Sequence, residues 1–121
     1  MERLTRQRQA IWQVIADAGR PLSPQEVLAL AHVQMPNLGI ATVYRNLKAL
    51  MQSGEVRSVE LPGISPRFEV LSQGHHHHFQ CTSCERVFDV PACPGNLADL
   101  APKGFVVEAH SITLYGRCND C

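Results

Sequence analysis

Two periodicities divide the chain. From Thr5 to Ala18 the apolar residues Ile11, Val14, Ile15 and Ala18 recur at helical spacing, and Gly19 follows as a stop. Ser23-Pro24-Gln25-Glu26 reads as a helix start, with Ser23 as N-cap, Pro24 at the first helical position and Glu26 completing a capping box. Val27, Leu28, Leu30 and Ala31 form the stripe predicted to be buried, and Met35-Pro36-Asn37-Leu38-Gly39 breaks that helix. A third helix is predicted from about Ile40 to Gln52, with Val43, Leu47, Leu50 and Met51 inward and Gly54 beyond its end. The pattern then changes. Val56 to Leu61 and Arg67 to Leu71 read as strands around a Pro62-Gly63 turn. Three helices followed by a hairpin trace a winged helix-turn-helix.

Ser72-Gln73-Gly74 is small and polar, and suits a hinge. Beyond it the chain reads as strands: His75 to Cys81, Arg86 to Val90, and a long candidate from Phe105 to Tyr115, with a short helix at Asn96 to Leu100. The expected class is α+β: a winged-helix domain over 1–71, a hinge at 72–74, and a small α/β domain over 75–121.

At 121 residues the chain is one domain or two very small ones, and sub-domains of about 60 residues often need a metal or a partner subunit. No apolar run reaches the roughly 18 residues of a membrane helix, and the charged start MERLTRQRQ lacks the apolar core of a signal peptide. A cytoplasmic protein is expected, with no membrane partner. In that compartment five cysteines argue for metal ligands over disulfides. Net charge is zero, but residues 1–57 carry seven basic against four acidic side chains and residues 58–121 the reverse, four against seven. The basic half suits nucleic acid, and equally an ordinary solvated helical surface.

The densest chemistry is HHHHFQCTSC at 75–84. Cys81 and Cys84 form one Cys-x-x-Cys pair, and Cys118 and Cys121 form another. Two such turns complete a tetrahedral four-thiolate site, which is closed and structural; a redox dithiol is the competing reading. On a strand, successive side chains alternate faces, so His75 and His77 point one way and His76 and His78 the other. Two metal sites, or one site and a solvated pair, fit this alternation. Glu69, Asp89, Cys93 and His110 are the further ligand candidates. Cys93 is either a small buried residue or a soft thiolate ligand. The third predicted helix begins with Thr42, Tyr44, Arg45 and Asn46 outside its apolar stripe, where a recognition helix reaches base edges; they suit the polar face of any amphipathic helix as well. A zinc hydrolase would need a motif such as H-E-x-x-H, which is absent, and the helix-turn-helix argues against a metal-storage protein.

GIATVYRNLKAL at 39–50, RFEV at 67–70, HHHHFQCTSC at 75–84 and HSITLYGRCNDC at 110–121 together resemble the ferric uptake regulator family of metal-dependent bacterial repressors, in order and over almost the whole chain. The resemblance implies a homodimer that binds a palindromic DNA operator when its sensory site holds metal, with no enzymatic activity and no small-molecule substrate. It implies base contacts from Tyr44 and Arg45, and a minor-groove approach by Arg3. It also implies structural Zn2+ on Cys81, Cys84, Cys118 and Cys121. The hinge-side sensory site falls on Glu69, His76, His78 and Asp89, and three positions of a second site fall on His75, His77 and His110.

The chain departs from the family pattern in three places. Pro21 stands where iron and peroxide sensors place a histidine, no cysteine lies between residues 54 and 80, and the second site's usual carboxylate is missing near Asn96. Cys93 close by would complete a set of three nitrogens and one sulfur, which suits Zn2+. Zinc is therefore the expected sensed ion, with Fe2+ or Mn2+, and iron or peroxide sensing, as the alternative.

Overall fold

The computed structural model of the chain describes residues 2–71 and 75–121, with side chains from Thr5 onward. It divides into two compact units, Met1–Gln73 and Gly74–Cys121. The expected hinge at 72–74 and the Arg3 side chain lie outside the described residues.

The first unit is three helices and a hairpin: α1 (Glu2–Ala18), α2 (Pro24–Ala31), α3 (Ile40–Gln52), β1 (Val56–Val59) and β2 (Arg67–Val70). Ile11 and Ile15 of α1 are fully buried, and Val14 and Ala18 pack on the core they start. Gly19 leaves the helix at φ 63, a conformation open to glycine without a steric penalty. The capping box forms: the Glu26 amide donates to Ser23 Oγ at 3.1 Å, and the Ser23 amide to Glu26 Oε1 at 3.0 Å. Val27 and Ala31 of α2, and Val43, Leu47 and Leu50 of α3, close the core. β1 and β2 pair antiparallel from Val56↔Val70 to Val59↔Arg67. Leu22 and Phe68 exchange two backbone hydrogen bonds, at 2.9 and 2.8 Å, which ties the hairpin to the α1–α2 connection.

Three side chains depart from the expected pattern. Leu30 and Met51 sit on the flanks of their stripes and are 47% and 39% exposed. Asn46, expected on the outer face, is buried. It lies three residues after Val43 and four before Leu50, so helical periodicity turns it inward. Its Nδ2 donates to the Thr42 carbonyl at 2.9 Å, which satisfies the amide inside the core.

The second unit is one small sheet of order β4–β3–β5: β3 (His77–Cys81) lies between antiparallel β4 (Val87–Val90) and parallel β5 (Thr113–Gly116). The long strand expected over 105–115 is present only in its last part. β3 has two edges, β4 takes one, and Thr113–Gly116 fills the other. Among the described residues the stretch before it finds no strand to pair with, and Phe105 and Val106 stay exposed. The helix expected at 96–100 shrinks to a single 3-10 turn, Ala98–Leu100. No helix among the described residues is long and apolar enough to cross a membrane.

Candidate metal centres and the third helix

The four paired cysteines converge. Cys81 ends β3, the turn after it presents Cys84, and Cys118 and Cys121 follow β5, which is parallel to β3 and hydrogen-bonded along it. The Sγ separations are 3.7 Å for Cys81–Cys121, 3.8 Å for Cys84–Cys118 and 3.5 Å for Cys118–Cys121. A disulfide needs about 2.0 Å. A tetrahedron with zinc–sulfur bonds of about 2.3 Å has edges of about 3.8 Å, so the donor set fits a closed zinc site.

The thiols are electrostatically unequal. The amides of Cys84 and Cys118 each donate to Cys81 Sγ at 3.4 Å and bring its pKa down to about 6. The Arg86 amide, then its guanidinium, lower that of Cys84. Cys118 and Cys81 push Cys121 up to about 12. The cluster therefore offers thiolate readily at one end, while full ionisation calls for a cation among the sulfurs.

The alternation of the histidines gathers a second cluster on one side of the run: His75, His77, Cys93 and His110. Cys93 Sγ lies 3.3 Å from His77 Nε2, 3.4 Å from His75 Nε2 and 3.2 Å from His110 Nε2, and the last two nitrogens are 3.1 Å apart. Three imidazole nitrogens and one sulfur at these spacings surround a point where a tetrahedral ion fits. His77 is buried, and the Ile112 amide meets its Nδ1 at 3.0 Å, so the ring is fixed with Nε2 toward Cys93. Burial, then His75 and His110, lower the His77 pKa and favour the neutral ring that ligation requires.

On the other side, Asp89 pairs with His78 across the β3–β4 ladder. Its Oδ1 lies 3.6 Å from His76 Nε2 and 3.7 Å from His78 Nε2. Both distances exceed good hydrogen bonds and suit ligands around a shared cation. Glu69 belongs to the first unit, on β2, where it is buried and accepts from Arg57 Nε at 2.8 Å.

On α3, Tyr44 and Arg45 face outward, and Arg45 Nη2 donates to Thr42 Oγ1 at 3.0 Å. Asn46 leaves this group, because its side chain is spent inside the core. Sequence reasoning passed over Arg86. Its Nε donates to Cys84 Sγ at 3.2 Å and its Nη2 to Cys118 Sγ at 3.7 Å. The available signal was a basic residue two positions after a Cys-x-x-Cys pair.

The sequence matches the ferric uptake regulator family over residues 2–115. It is 30% identical over 123 residues to the peroxide operon regulator of Bacillus subtilis, covering 98% of this chain and 83% of that protein. Among solved structures, FurB of M. tuberculosis, described as a zinc uptake regulator, is 32% identical with a TM-score of 0.55, over 98% of this chain and 95% of that one. A zinc-bound manganese uptake regulator shares the fold at TM-score 0.81 and 22% identity, over 93% of this chain and 87% of that one. The chain belongs to the ferric uptake regulator family of metal-responsive transcriptional regulators.

Proposed function

We propose that the chain is a zinc-sensing repressor of metal-homeostasis genes, acting in the cytoplasm as a metal-loaded homodimer on a palindromic operator. The first unit is its winged-helix DNA-binding domain and the second its dimerisation domain. Tyr44 and Arg45, with Thr42 beside them, read base edges from α3, and Arg3 approaches the minor groove. Exposed Phe105, Val106 and Leu114 in the second unit supply apolar surface for a partner copy. The sensory ion is held by His76, His78 and Asp89, with Glu69 as the ligand from the DNA-binding domain. Binding it fixes the spacing of the two recognition helices, so both reach successive half-sites.

The observation that carries zinc is Cys93 Sγ within 3.2–3.4 Å of three imidazole nitrogens, a soft donor set. A second reading, iron, manganese or peroxide sensing, is favoured by the sulfur-free ligands His76, His78 and Asp89. An operator shift assay titrated separately with Zn(II), Fe(II) and Mn(II) decides between them: zinc is expected to drive binding at the lowest free concentration. The double variant His76→Ala, His78→Ala should lose metal-dependent operator binding while remaining a folded dimer. Unchanged metal-dependent binding by that variant would sink the hinge mechanism.

A further inference from the structure

The guanidinium of Arg86 spans both halves of the four-cysteine cluster. Cys84, to which its Nε donates, comes from the first Cys-x-x-Cys turn. Cys118, the target of Nη2, comes from the second, as does Asp120, whose Oδ2 lies 3.3 Å from Nη1. The Phe88 ring lies beneath, 5.8 Å from the guanidinium carbon. The Arg86 carbonyl also accepts from the Cys81 amide at 2.9 Å, which holds the backbone at the base of the first turn.

The four sulfurs are therefore served unequally by N–H donors. Cys81 accepts from two backbone amides. Cys84 and Cys118 accept from Arg86. Among the described residues, the partners of Cys121 Sγ are the sulfurs of the other three cysteines, with Cys81 and Cys118 nearest, and none is an N–H donor. This matters because four thiolates around a divalent cation leave a net charge of two minus on the sulfurs. An N–H donor draws electron density from the sulfur it meets and lowers its reactivity toward electrophiles. A fixed positive charge beside two of the sulfurs also favours retention of the loaded, anionic cluster.

We propose that Arg86 is a positioning residue that shields the thiolates of the structural site, so that Cys121 is the first sulfur open to electrophilic attack and Cys84 and Cys118 stay protected while the guanidinium is in place. The inference rests on the reading of the four cysteines as a zinc site.

The test uses the full-length, zinc-loaded protein and limiting N-ethylmaleimide. The thiolate sulfur adds to the maleimide double bond, the carbanion formed takes a proton from water, and the alkylated sulfur is a poor zinc ligand. Alkylated positions are mapped by mass spectrometry at early times, and released zinc is followed with a chromogenic chelator. In the wild type, Cys121 should be alkylated before the other three. In Arg86→Leu, early alkylation should spread to Cys84 and Cys118, and zinc should be released about ten- to a hundredfold faster. Arg86→Lys, which keeps the charge but cannot reach both turns with a planar fork, should fall between. Wild-type alkylation that starts at Cys84 or Cys118 would overturn the inference without any variant, as would Arg86→Leu releasing zinc at the wild-type rate. Zinc content left unchanged by Cys81→Ser would instead refute the zinc-site reading beneath it.

Discussion

The two units of this chain bury different things. In the first, Ile11, Ile15, Leu22, Val27, Val43, Leu47, Leu50 and Val56 form one apolar core, nearly all of it fully buried. In the second, the buried residues among those described are His77, Gln80, Cys81 and Val87, two of them polar and one a thiol. A sheet of three short strands with so little apolar interior gains little from the hydrophobic effect. What it has are ligand clusters, at Cys81/Cys84/Cys118/Cys121 and at His75/His77/Cys93/His110. The same chain thus uses hydrophobic burial to set its three helices and hairpin, and converging ligand side chains beside its small sheet.

Removing metal should break this contrast most visibly. Structural zinc contributes folding free energy of about 10–16 kcal/mol in small zinc domains. Cys81→Ser, or exhaustive chelation, should therefore unfold the second unit while the helices of the first persist. Far-UV circular dichroism combined with limited proteolysis reads both at once. A protease-resistant second unit without metal would mean that its packing suffices.

The converse perturbation acts on the first unit. Leu47→Ala should destabilise it by about 2–5 kcal/mol, because a fully buried side chain leaves a cavity. Thermal unfolding followed at 222 nm should show this, with bound zinc unchanged.

A smaller effect separates the two faces of α3. Arg45→Ala should cost about 1–3 kcal/mol of operator affinity with little change in stability. Asn46→Ala should do the opposite, lowering stability by about 1 kcal/mol through its lost bond to the Thr42 carbonyl. Equal operator losses in both variants would return Asn46 to the DNA-reading face.

The smallest effect concerns the turn after Cys84. Glu85 sits at φ 65, a conformation that costs a residue with a side chain about 1–2 kcal/mol. Glu85→Gly should raise the melting temperature of the second unit slightly. A lower value would show that the Glu85 side chain holds the turn.

Much of this was legible in the chain itself. The capping box at Ser23, the span of α3, the hairpin, and the division of the four histidines into two pairs all follow from local rules: cap chemistry, helical period and strand alternation. The errors share one cause. Leu30, Met51 and Asn46 lie at the edges of their stripes, where a neighbouring element decides which side chain is covered. The strand expected from Phe105 onward carries a good alternating pattern, but a strand needs a paired neighbour, and only Thr113–Gly116 pairs, along β3.

By itself, then, the sequence determined which residue types were available and with what periodicity, and so the helices, the hairpin and the list of ligands. The family resemblance grouped those ligands, but only the tertiary structure decided the distances at which they meet. Cys93 and His110 are brought to His75 and His77 across gaps that no spacing rule spans. Arg86 acquires its role because parallel β5 returns Cys118 to the side of Cys84. Local structure follows from a residue's neighbours in sequence, whereas a metal centre follows from distances between segments, and those are set when the sheet assembles.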